Sequence, residues 1–89
     1  MLNIQITKPS EQEIEDLDLD TWGRWAKDVS KFEWDYTAKE TCYIFEGEVT
    51  VETEWETVSF KAGDLVVFPE GLKCIWNIKK PVVKAYRFD

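Results

Sequence analysis

The sequence predicts an all-β fold, an antiparallel sandwich or barrel, on three observations. From about residue 32 onward the chain is a succession of short segments rich in Val, Ile, Thr, Phe, Trp and Tyr, which suit a pleated, half-buried surface. Gly, Pro and acidic turn residues separate these segments at regular spacing. The 89 residues, 44% hydrophobic and 15% aromatic, can fill one core and leave no room for a second. A single domain over residues 1–89 is therefore expected, with an N-terminal strand and helical segment at 1–29 and a β core at 30–89.

Each element has a local reason. Leu2, Ile4 and Ile6 alternate with polar residues, as in a first strand. Ser10 and Glu13 form an S-x-x-E capping box, and Ile14 and Leu17 follow at i, i+3, so a short helical turn is expected over 10–17. The stretch from Asp20 to Gly23 reads as a loop. Phe32, Trp34 and Tyr36 then alternate with Glu33 and Asp35. Strands are expected at 41–45, 49–51, 57–60, 65–68, 74–78 and 82–88, punctuated at Glu46-Gly47, 54–56, 62–64, 69–71 and Lys80-Pro81. Segments 41–45 and 65–68 are apolar throughout, which implies strands covered on both faces.

Charge and composition narrow the function classes. Eleven basic against eighteen acidic residues give a net charge of −7. That disfavours nucleic acid, which needs a basic face, and anionic membrane surfaces, which attract basic segments. Six acids and no base fall within residues 11–20. This run reads as a solvated face, with a docking site for a basic partner as the alternative. The chain contains no histidine, which removes the commonest general base, metal ligand and pH switch together. The opening residues lack a basic segment followed by an apolar run, and no run approaches a membrane span, so a cytoplasmic location is expected. Cys42 and Cys74, 32 residues apart, are then thiols rather than a disulfide, and their spacing excludes a zinc ribbon.

The punctuation is more specific than an all-β pattern requires. Gly63-x5-Pro69-x-Gly71 matches the start of G-x5-P-x-G-x2-H-x3-N, the second motif of cupins, with Cys74 at the histidine position and Ile78 at the asparagine position. Glu40-x6-Gly47 matches the end of the first cupin motif, G-x5-H-x-H-x3–4-E-x6-G. Counting back places Glu33 and Asp35 at its two histidine positions and Lys27 at its opening glycine. The chain thus resembles a small single-domain cupin over residues 30–88. The strings at 40–47 and 63–76 look like the small cupins related to (S)-ureidoglycine aminohydrolase. The resemblance implies a cupin jelly-roll β-barrel with a short N-terminal helical turn and a pocket at one mouth. It does not carry the activity, because the metal-bearing aminohydrolase is a longer two-cupin protein whose manganese site contains histidines.

The expected ligand pocket is lined by Trp34, Glu40, Tyr43, Cys74 and Trp76, with Tyr86 contributing. Aromatic walls with a few polar groups are what small-ligand pockets are made of. A carboxylate such as Glu40 facing a barrel interior needs a cation or donor beside it. Cys74, on the same strand parity as Trp76 and Ile78, is read as a small hydrophobe. As a reactive thiol it would need Lys73, Lys84 or Arg87 for activation. Glu33 and Asp35 either point outward, with the aromatics inward, or fill the histidine positions while residues 10–25, with Trp22 and Trp25, cover the aromatics. No cofactor is expected. The alternative is a divalent metal on Glu33, Asp35, Glu40 and Cys74, a donor set that mixes hard and soft ligands. The first functional expectation is a cupin that binds a small molecule without the usual histidine metal centre. The second is an atypical hydrolase or isomerase using Glu40 and Cys74 on a small polar nitrogen compound. The third is an acidic protein-interaction module. Exposed sheet edges leave a homodimer open.

Overall fold

The computed structural model describes residues 2–89; Met1, the first residue of the expected domain, lies outside the described residues. The chain runs β1 (Gln5–Thr7), α1 (Glu11–Leu17), a 3-10 turn (Leu19–Thr21), β2 (Gly23–Lys27), β3 (Ser30–Asp35), β4 (Glu40–Glu52), β5 (Thr57–Lys61), β6 (Leu65–Phe68) and β7 (Lys73–Phe88). All strand pairings are antiparallel. The helix starts at the expected box: Glu13 N–H donates to Ser10 Oγ (3.2 Å) and Ser10 N–H to Glu13 Oε1 (3.1 Å).

Two long strands organise the jelly roll. The first half of β4 lies between β6 and the end of β7, while its second half lies between β5 and the start of β7. The start of β7 also pairs with β3, and its later half with β2. Each long strand therefore belongs to both walls of the barrel. This corrects the expected breaks at Glu46-Gly47 and Lys80-Pro81, which are bulges within continuous strands: the register between β4 and β7 shifts around Glu46 and Glu48. Gly47 takes φ 108°, and a Cβ there would lie 2.5 Å from the Pro81 carbonyl oxygen, so only glycine lets the two backbones approach at the corner. The loop expected to reach Gly23 likewise ends there, where β2 begins.

Residues 41–45 are covered on both faces, as their unbroken apolarity implies. Cys42 and Ile44 enter the main core with Val66, Phe68 and Trp76. Tyr43 and Phe45 join an outer cluster with Leu19, Trp22 and Ala85, roofed by Ile14 and Leu17 of the helical segment. The helix therefore closes the back of one sheet and leaves the opposite mouth open. Among the described residues no helix is long and apolar enough to cross a membrane.

Candidate functional site

The open mouth is built from one face of β3, the start of β4 and the end of β7, with Trp25 from β2 alongside. On β3 and at Tyr36 just after it the aromatics face inward and the carboxylates outward: Glu33 and Asp35 are exposed, while Phe32, Trp34 and Tyr36 border a cavity of about 200 Å³. The inward rings of other strands explain that choice: Phe32 is paired directly with Trp76 on β7, and paired residues share a face. Trp76 stacks on Phe32 (6.0 Å, 18°), and Phe68 stacks on Tyr36 (4.8 Å, 9°). The reverse parity would face two carboxylates with aromatic rings at a cost of several kcal/mol. Backbone bonds on both sides of Tyr36 lock it in place. Its N–H donates to the Leu72 carbonyl (2.8 Å), and its carbonyl accepts from Gly71 N–H (2.7 Å).

At the base of the cavity Glu40 is 2% exposed and fully engaged. Tyr36 Oη–H donates to Glu40 Oε1 (2.7 Å), and Lys84 Nζ donates to Oε2 (2.7 Å). The Lys84 ammonium also lies 4.6 Å from the Trp76 ring centroid, 4.8 Å from that of Trp25 and 6.0 Å from that of Tyr86. Aromatic faces attract a desolvated cation, so carboxylate and rings hold the same charge from different sides. Burial and the neighbouring Glu40 carboxylate push the Tyr36 phenol far above its ordinary range, so it acts as a donor throughout.

The structure brings Trp34, Glu40, Trp76 and Tyr86 to one cavity and separates two other expected residues from it. Tyr43 is a correction: it lies in the outer cluster, edge-on to Phe45 (5.3 Å), because the odd-numbered positions of β4 before its bulge face the helix. Cys74 is in the core behind Trp34, its Sγ–H directed at the Trp34 carbonyl (3.6 Å), and does not border the cavity. Burial, Asp35 and Glu40 push its pKa up to about 11, only partly offset by Trp76. The indole N–H of Trp76 nevertheless has no partner in hydrogen-bonding geometry. The cations expected to activate Cys74 are elsewhere: Lys84 is bound to Glu40, Lys73 is exposed, and Arg87 lies over the Trp22 ring (4.7 Å) on the outer face.

The structure does not bring the alternative metal set together. Glu33 and Asp35 lie outside the barrel, Cys74 does not border the cavity, and both Glu40 oxygens are taken, one by an ammonium that would repel a second cation. These residues do not fit a divalent metal. Among the described residues no group of three or more Cys, Asp or Glu side chains is placed to hold one.

Sequence reasoning missed Lys84 as a cavity residue, along with Trp25, Phe32, Tyr36 and Phe88. Lys84 was legible only as one member of the alternation Val82, Lys84, Tyr86, Phe88, a charge on the inward parity of the last strand.

A jelly roll whose two sheets share long bent strands, with a cavity at one mouth and the motif glutamate at its base, defines a cupin. The model of the EutQ-like cupin domain matches residues 14–86, and the chain belongs to that family. It is similar to a DUF861 family protein from Thermotoga maritima, at 42% identity and TM-score 0.95 over 98% of this chain and 100% of that one. It also resembles a candidate ethanolamine utilization protein Q from Salmonella typhimurium, at 26% identity and TM-score 0.68 over 96% of this chain and 68% of that one. The Clostridium difficile EutQ protein shares the fold at 21% identity and TM-score 0.69, over 74% of this chain and 52% of that one. No match to a curated protein was found.

Proposed function

We propose that this protein is a cupin that binds a small molecule without a metal, holding it in the aromatic cavity above the Glu40–Lys84 pair. The observation that carries this reading is a buried ion pair that borders an open cavity rather than closed core. A buried ion pair contributes little net stability, because desolvation offsets attraction. Aromatic walls with a few convergent polar groups are the usual make-up of a ligand site. Resemblance to the ureidoglycine aminohydrolase-related cupins supports starting with small polar nitrogen compounds. The reading as an enzyme using Glu40 and Cys74 together has less support, since the thiol holds its proton and lies behind the cavity wall. The interaction-module reading rests on the acidic run alone.

A thermal-shift screen of small metabolites tests the proposal, followed by Trp34→Ala. Trp34 is 47% exposed at the rim, so its removal leaves the core filled. A ligand is expected whose shift is lost in Trp34→Ala. A ligand whose affinity is the same in Trp34→Ala and in Lys84→Met overturns the assignment to this cavity.

A further inference from the structure

We infer that Lys84 is a carbonyl-reactive amine, condensing with a small conjugated aldehyde that enters the aromatic cavity; the inference rests on that cavity being the ligand site. Lys84 is the one buried lysine among the described residues. The chain has eight others, and all of them are exposed. It borders the cavity and has the Glu40 carboxylate 2.7 Å away to take a proton from it, the geometry an amine needs to attack a carbonyl.

Charge conservation supports an aldehyde over an anionic ligand. The pair of Glu40 and Lys84 carries no net charge, so a bound carboxylate would bury an uncompensated negative charge beside Glu40. An aldehyde enters neutral, and its protonated imine keeps the single positive charge of the ammonium. Glu40 at 2.7 Å then remains the counterion, and the rings of Trp25 and Trp76 suit a delocalised iminium as they suit the ammonium. A conjugated, flat aldehyde matches the walls set by Trp34 and Phe32.

In the step itself the Lys84 ammonium passes a proton to Glu40 and the nitrogen lone pair attacks the carbonyl carbon, moving the carbonyl π pair to oxygen. Two protons of the original ammonium leave with that oxygen as water, the first returned by Glu40. The nitrogen keeps one hydrogen, the double bond to carbon and the positive charge. No oxidant or reductant takes part. Tyr36 holds the other Glu40 oxygen and keeps the carboxylate aimed at Nζ.

The test uses the full chain with benzaldehyde, sodium cyanoborohydride to trap the imine, and site-resolved peptide mass mapping. Lys84 is expected to gain a benzyl group about tenfold faster than the exposed lysines, and Lys84→Arg to lose that label alone. Labelling of Lys84 no faster than the exposed lysines overturns the inference. Benzyl alcohol, which fills the same space and cannot condense, separates the two readings through tryptophan fluorescence. If it binds while Lys84 stays unlabelled, the amine chemistry falls and the cavity reading stands. If the alcohol does not bind and Lys84 is not labelled, both fall.

Discussion

Two lysine–carboxylate pairs of the same length sit at opposite sides of this barrel. Lys84 and Glu40 meet at 2.7 Å with side chains 7% and 3% exposed; Lys8 and Asp64 also meet at 2.7 Å, with Lys8 69% exposed. Asp64 serves its own loop: its Oδ2 accepts from Lys61 N–H (2.9 Å), a contact that would persist without Lys8. Glu40 has no backbone partner for its carboxylate and depends on two side chains, Tyr36 four residues before it and Lys84 on the last strand. The depression beside Lys8 is the larger, about 580 Å³ against about 200 Å³, yet it is a groove edged by solvated lysines. Volume therefore does not locate the site. Convergence of desolvated polar groups on an aromatic wall does.

The largest test removes the cation from each pair. Lys84→Met strands a buried carboxylate and is expected to cost about 3–5 kcal/mol in urea unfolding, most of it recovered in the double variant Lys84→Met/Glu40→Gln. A cost below that of Lys8→Met would erase the distinction between the two ends.

The thiols give the next effect, confined to the inner wall of the Glu40 side. Cys74 and Cys42 have pKa values raised by burial from 9.0 to about 11 and about 12. The folded state therefore binds these protons more tightly than the unfolded chain. This stability is fully present below 9.0 and is lost as the pH rises through the folded values, by at most about 1.4 kcal/mol per pH unit for each thiol. Urea midpoints followed upward from about pH 8 measure the loss. Rapid labelling of Cys74 in the native protein at neutral pH would contradict the assigned environment.

Smaller changes sharpen the contrast. Trp34→Ala is expected to leave stability within about 1 kcal/mol while weakening ligand binding at least about tenfold, read by calorimetry with any ligand from the screen. Lys8→Met is expected to cost no more than about 0.5–1 kcal/mol, with an effect that fades in salt, because the pair is half solvated.

Much of this frame can be read from the residues in order. The capping box of Ser10 and Glu13, the hydrogen-bonding turn at Asp64 and the positive φ of Gly63 (94°) and Gly71 (89°) are local choices that local chemistry forces. Motif spacing singled out Glu40, and it stands at the base of the cavity. The parity of 33–40 is open in the sequence because alternation says only that two faces differ; Trp76, paired with Phe32 on β7, and Phe68, stacked on Tyr36, settle which one is inside. Strand breaks at Gly47 and Pro81 were misread for a related reason. A glycine and a proline mark a turn when each stands alone, and mark a bulged corner when they lie opposite one another across a sheet.

By itself, then, the sequence determined an acidic, histidine-free all-β domain with the cupin turns and their glutamate. These follow from neighbours a few residues apart, where propensity and turn chemistry act. Which charge answers that glutamate was decided only by the tertiary structure. Lys84 lies 44 residues away from Glu40 in sequence, and the register of β7 against β4 and the inward parity of its last residues bring the two within hydrogen-bonding distance. Long-range pairing sets that register, and no local preference of a lysine predicts it.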